Sequence, residues 1–179
     1  NAATWTSDNG EVYTLNNTGT KPAQIVGSPS LLFDGAAHWL QAAFTLIQPE
    51  TVYIVAKPIV WANSAYLYDG FTLNTMVLQQ LGASPIVRLF AALALSNNSD
   101  FIPGSYAVGY AIVNGASSRY GFNSSAAISG DVGAGNPDGL TIGKPGGAAA
   151  TNFGNIQVKE IIIRNVADSA ATQAQIQSY

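Results

Sequence analysis

Short apolar runs, each closed by a turn signal, recur from Ser30 to Arg164, and that punctuation limits what the chain can fold into. Gly, Pro, Asn and Asp interrupt the runs too often for helices of ordinary length, but at the spacing of strands joined by tight turns. Ser30 to Phe33 leads into Asp34-Gly35, and His38 to Ala42 follows. Thr51 to Ile59 is apolar and rich in β-branched residues, as a strand buried on both faces would be. Pro58 falls at its end, where a missing N–H costs least. Tyr66 to Tyr68 reaches a second Asp-Gly, and Thr72 to Leu81 and Ile86 to Leu93 read as successive strands. Asn114-Gly115 separates Ser105 to Val113 from Ser118 to Phe122 and predicts a hairpin of two residues or slightly more, since both residues accept positive φ. Leu140 to Gly143 is a short strand, and Ile156 to Arg164 is a long closing one. Only the tail has a helical pattern, with Asp168 the expected N-cap of a segment, Ala170 to Ser178, that lacks Gly and Pro.

Composition agrees with many strands in one domain. The 179 residues are 47% hydrophobic, with eighteen glycines and eight prolines. Only 9% are charged, against about 25% in an average globular chain. Neither an internal repeat nor a linker divides the sequence. Net charge is -3 with seven Lys plus Arg, so no basic stripe is available to track phosphates, which excludes nucleic acid as a partner. Apolar stretches such as Leu89 to Leu95 fall far short of the ~20 residues a membrane helix needs, so membrane insertion is excluded too. Asn1-Ala2-Ala3-Thr4-Trp5 does not read as a signal peptide. The absence of cysteine removes disulfides, thiolate metal sites and a cysteine nucleophile.

The order of these elements resembles laminin G-like domains of the concanavalin A-like lectin and glucanase superfamily. The resemblance rests on the strand ending in Phe33-Asp34-Gly35, the apolar strand Thr51 to Lys57 and the Asn114-Gly115 hairpin. Leu140-Thr141-Ile142-Gly143, Phe153-Gly154, Ile156 to Arg164 and the tail from Asp168 to Tyr179 complete it. It covers residues 28 to 179. Residues 1 to 27 have no counterpart and are expected to form an added strand, Val12 to Leu15, or a packing arm. A second departure is Asn123-Ser124-Ser125, where such domains usually carry another Asn-Gly or Asp-Gly. The resemblance implies an all-β, two-sheet antiparallel jelly-roll sandwich with a short C-terminal helix. It implies function only at the level of the fold, which carries lectins, adhesins, glycosidases, lyases and structural modules alike.

Catalytic patterns are missing. Glucanases of this superfamily carry clustered carboxylates on one strand, like Glu-x-Asp-x-x-Glu, so that alternation brings nucleophile and acid to one face. The three glutamates here, Glu11, Glu50 and Glu160, are isolated, and no strand carries two acids at spacing two. The one histidine, His38, has no nucleophile or ligand partner nearby in sequence and is assigned a structural role. Gly143-Lys144-Pro145-Gly146-Gly147 lacks the spacing and the Ser or Thr of a phosphate loop. The chain is expected not to be an enzyme.

Strand alternation selects candidate ligand residues instead. An inward set of Val87, Leu89, Ala91 and Leu93 leaves Arg88 and Phe90 outside, and an inward Leu67 leaves Tyr66 and Tyr68 outside. Inward Tyr120 and Phe122 leave Arg119 outside. If Tyr106, Val108, Tyr110 and Ile112 point inward, then Ala107, Gly109 and Ala111 make a flat floor flanked by Tyr66, Tyr68, Arg88 and Arg119. That floor would be a glycan platform or a contact with a neighbouring subunit. Calcium, common in laminin G-like domains, would take Asp131, Asn136 and Asp138, which supply hard oxygens in one loop. Three functions compete: a non-catalytic carbohydrate-binding or adhesion module, a phage structural domain of decoration or fibre type, and a polysaccharide hydrolase or lyase. The first two place the chain outside the cell or on a virion, with a glycan, a neighbouring structural protein or further copies of itself as partners.

Overall fold

The computed structural model describes residues 4–6, 12–14, 22–25, 27–148 and 151–178. Their strands form two antiparallel sheets. One has eight strands, in the spatial order β1 (Thr4–Thr6), β2 (Val12–Thr14), β5 (Leu40–Ala43), β14 (Gly139–Ile142), β7 (Tyr66–Asp69), β8 (Val77–Gln80), β9 (Ile86–Phe90) and β10 (Ala94–Asn98). The other has seven: β13 (Ile128–Gly130), β12 (Ser118–Phe122), β11 (Ala107–Val113), β6 (Glu50–Pro58), β15 (Asn155–Arg164), β4 (Leu31–Asp34) and β3 (Ala23–Gln24). The added N-terminal strand is present as β2, while Leu15 lies outside the described residues.

Alternation along each strand supplies the core between the sheets. Phe33, Ile54, Leu67, Leu78, Leu89 and Phe122 are fully buried there. Phe101 stacks on Phe122 with centroids 4.8 Å apart. β6 and β15 occupy the middle of their sheet, which is why both read as apolar in sequence. A bulge at Val158/Glu160 in β15 shifts the register between them.

The chain departs from the sequence reading where side chains act on backbone. Thr72 to Leu81 is not one strand: only Val77–Gln80 pairs, because the Asp69 carboxylate holds the preceding loop through the N–H groups of Gly70, Asn74 and Met76. Ile86 to Leu93 stops at Phe90, and the chain turns at Ala92, whose φ is 98°. Leu93 is therefore 52% exposed rather than in the core, while Val87, Leu89 and Ala91 are buried as expected. The hairpin after β11 is the longer kind, a 3₁₀ turn over Gly115–Ser117 in which Gly115 alone takes positive φ. The helix α1 (Ala170–Gln177) is capped by Ser169, whose Oγ accepts from the Thr172 N–H at 3.2 Å. Asp168, the expected cap, is instead buried beneath the helix.

Candidate functional site

The two outer faces differ in what covers them. On the seven-stranded sheet, Tyr53, Tyr110 and Ile112 form a second apolar cluster, closed by Ile162, Ala167 and Ile176 of α1. The Asp168 carboxylate anchors that corner. It accepts from the Tyr53 hydroxyl at 2.9 Å and pairs with Arg164 at 2.8 Å, and the Asp168 N–H donates to Thr51 Oγ1 at 3.1 Å.

This arrangement corrects the expected platform. Tyr110 and Ile112 point outward under the helix, so Ala107, Gly109 and Ala111 point inward. A Cβ at Gly109 would lie 2.6 Å from Phe122 Cε1 and 3.2 Å from Ile54 Cγ2, so the glycine is there for core packing and not for a ligand's approach. Small residues read as an open floor in sequence because the bulky residues alternating with them suit a core. The helix gives that bulky set a second place to be buried. Arg119 is on the outer face as expected, but of this sheet, where it donates to the Asp168 carbonyl and to Gln173 Oε1.

Tyr68 also moves. A register irregularity between Tyr66 and Tyr68 sends Tyr68 into the core beside Leu67, fully buried. Burial, reinforced by Glu50, pushes its phenol far above the ordinary range.

Tyr66, Arg88 and Phe90 do come together, on the outer face of the eight-stranded sheet. Tyr66 pairs with Gln79 in register, Gln79 with Arg88 and Arg88 with Ser96, so one row crosses β7 to β10. Arg88 donates to Gln79 Oε1 at 2.7 Å, and its Cζ lies 5.6 Å from the Phe90 ring centroid. The Arg88 Nε–H is buried without a hydrogen-bond partner. Tyr66 donates to Asn74 Oδ1 at 3.0 Å, and burial holds its phenol above the usual value, with Asp69 adding to the effect and Arg88 opposing it. Arg88 and Phe90 are half-buried, while Ser96 and Asn74 are exposed. Sequence reasoning missed Gln79 and Asn74. Gln79 could have been found from its place opposite Arg88, but only once the Val77–Gln80 register was known.

The rest of this face is built over by loops. Gln41 donates to the Phe71 carbonyl at 2.8 Å and to Thr141 Oγ1 at 2.9 Å, and Thr141 donates to the Gly70 carbonyl. The buried Lys144 ammonium lies 4.4 Å over the Trp39 ring and donates to the carbonyls of Pro145 and Gly147. The patch beside β9 is what these loops leave open.

Carboxylates hold structure in most places. Asp34 accepts from the N–H groups of Ala36, Ala37 and His38, while His38 Nε2 sits 3.5 Å from Asp34 and its Nδ1 is 3.2 Å from the Leu32 carbonyl. The side chains expected to hold calcium each serve a different contact: Asp131 accepts from the Gly133 N–H, Asn136 from the Gln48 N–H, and Asp138 from Thr72 and Thr75. Among the described residues there is no group of three His, Cys, Asp or Glu side chains placed to hold a metal ion. Glu50 follows Val52, Ile54 and Ala56 into the core, with both carboxyl oxygens unpartnered, and burial pushes its pKa up to about 7.

No protein-family model matches the chain, and no curated protein sequence does. Solved structures do match it. The native heptameric SAP-like pentraxin from Limulus polyphemus is 16% identical, with TM-score 0.63, over 83% of this chain and 81% of that one. Trypanosoma rangeli sialidase in complex with sialic acid is 14% identical, with TM-score 0.71, over 99% of this chain but only 31% of the sialidase. Domain 4 of AbnA, a GH43 extracellular arabinanase from Geobacillus stearothermophilus, in complex with arabinotriose, is 13% identical, with TM-score 0.68, over 92% of this chain and 84% of that domain. The two sheets and these likenesses define the fold: an antiparallel jelly-roll sandwich. Two of these neighbours are solved with a sugar bound, sialic acid in the sialidase and arabinotriose in the arabinanase domain. No helix among the described residues is long and apolar enough to cross a membrane.

Proposed function

We propose that the chain is a non-catalytic carbohydrate-binding module that works outside the cell, as an adhesion domain or on a virion. The observation that carries this reading is the half-buried pair of Arg88 and the Phe90 ring, left open between loops on the outer face of the eight-stranded sheet and backed by the buried Gln79 and Tyr66 of the same row. An aromatic face offers stacking to sugar C–H surfaces, and a guanidinium with donors to spare offers directed hydrogen bonds to hydroxyls. The solved complex of the arabinanase domain with arabinotriose supports it, since that likeness spans most of both chains. The commitment of Asp34, Asp69, Asp138 and Asp168 to loops and corners supports the non-catalytic part. The pentraxin is heptameric, and a similar repetition here would let weak single sites act together.

The test is a glycan array followed by calorimetry on wild type, Arg88→Ala and Phe90→Ala, starting with arabinotriose and sialic acid. Each variant should weaken binding roughly five- to tenfold, the loss of one stacking or forked contact. No reducing ends should be released. Binding that ignores both substitutions, or turnover that disappears on replacing a carboxylate, sinks the reading.

A further inference from the structure

The helix packs over the Tyr53, Tyr110 and Ile112 end of the outer face of the seven-stranded sheet. Across β11, β6 and β15 the rows run Tyr110–Tyr53–Ile162, then Val108–Val55–Glu160, and Lys57 pairs with Gln157. The first row lies under α1. Beyond it, Val55 and Val108 are only half-buried and floor a groove of about 460 Å³. Ile176 of the helix forms one wall and Pro29, ahead of β4, lines it too. That volume lies within the range of about 300–1,000 Å³ usual for small-molecule sites. On β6 the groove is lined by Tyr53 and Val55, and Lys57 follows one side-chain alternation further along the same face, roughly 7 Å beyond Val55.

Its far end is positive. The Lys159 ammonium is 4.1 Å and the Lys57 ammonium 5.0 Å from the centroid of the Tyr106 ring, whose hydroxyl donates to Gln157. Among the described residues neither lysine is in an ion pair. Lys159 and Glu160 both line the groove, and Lys57 stands just beyond the lining on the same Tyr106 ring, so this end gathers two cations against one acid. In a chain with seven basic residues and net charge -3, two ammoniums gathered on one ring are a local reversal of charge.

We propose that this groove binds a free, single-chain amphiphile with a carboxylate head. The apolar chain lies over Val55 and Val108 against Ile176, and the carboxylate meets Lys159 and Lys57. An apolar channel ending in two cations suits that chemistry: a neutral chain forgoes the charge attraction, and a cationic head is repelled. The site is on the opposite sheet from the Arg88 row and stands independently of any glycan there.

The probe is monomeric dodecanoate, titrated calorimetrically into the full chain. Saturable one-to-one binding is expected. Lys159→Ala and Lys57→Ala should each weaken it, the first by about tenfold, and dodecan-1-ol should bind about tenfold more weakly than the acid. Glu160→Gln should tighten binding, and Val108→Trp should fill the groove and abolish it with an unchanged circular dichroism spectrum. Arg88→Ala should leave it unaffected. Absence of dodecanoate binding overturns the proposal, as does dodecylammonium binding equally well or binding indifferent to Lys159→Ala. Phosphatidylglycerol vesicles that bind while monomeric dodecanoate does not also overturn it, pointing to a membrane surface instead.

Discussion

Glu50 is the residue most at odds with its surroundings. Its carboxyl is buried between the sheets with no hydrogen-bond partner, and the titratable group facing it from the opposite sheet is the Tyr68 hydroxyl, also unpartnered. Desolvation alone moves its pKa from 4.5 to about 7, so the folded protein keeps the proton that the unfolded chain releases. Well below pH 4.5 both states are protonated and the residue costs nothing through ionisation. As pH rises from 4.5 to about 7 the unfolded chain ionises first, and stability falls until the folded state ionises as well. The loss should reach roughly 3–3.5 kcal/mol, since each tenfold difference in proton affinity between the two states is worth about 1.4 kcal/mol. Urea denaturation at about pH 4 and about pH 8, on either side of that window, measures it, and Glu50→Gln should flatten the difference. An equal pH dependence in wild type and variant would show that the carboxyl is not held neutral.

Elements are legible where one side-chain pattern decides them. Ser118–Phe122 can be read with its full extent, and Ile156 to Arg164 with one residue missing, because their apolar content or alternation has one solution. The Ala94–Asn98 edge strand escapes a sequence reading, since an exposed, polar strand carries no alternation against a core. The face of β11 misleads for the opposite reason: both of its sides are covered, one by the second sheet and one by α1, so bulk does not reveal direction. Of the candidate residues, Tyr66, Arg88 and Phe90 lie on one outer face as the alternation implies, whereas Tyr68 turns into the core at the register irregularity in β7. The helix makes the same point, because Asp168 and Ser169 are both good caps by composition. Ser169→Ala should cost about 1 kcal/mol, as cap removal does. Asp168→Ala should cost roughly 3 kcal/mol, since it strands the Tyr53 hydroxyl and frees Arg164. Equal losses in chemical denaturation would return the capping role to Asp168.

At the scale of the molecule, the sandwich must close its sides as well as fill its middle, because each sheet ends in strands with unpaired edges. Along one side the closure is explicit. The turn after β9 and the loop after β13 exchange backbone hydrogen bonds, Leu93 N–H to the Val132 carbonyl at 2.8 Å and Gly135 N–H to the Ala91 carbonyl at 3.0 Å. Gly130 packs close to β10, and a Cβ there would stand 2.9 Å from Leu95 Cδ1 and push that side chain aside. Tyr120 reaches across the core from the other sheet: its hydroxyl donates to the Val87 carbonyl at 2.6 Å and accepts from the Asn97 N–H at 2.9 Å. Burial pushes that phenol up to about 12, so it stays a donor throughout the physiological range. Tyr120→Phe keeps the ring and its packing but removes both bonds, leaving the Val87 carbonyl short of one partner and the Asn97 N–H without this one. The expected cost is about 1–3 kcal/mol, and it should be local as well as global. Hydrogen exchange at Asn97 should accelerate by more than the drop in global stability explains, while amides of the central strand β6 should follow the global change alone. If Asn97 and β6 accelerate together by the same factor, Tyr120 contributes to the core and not to the closing of that side.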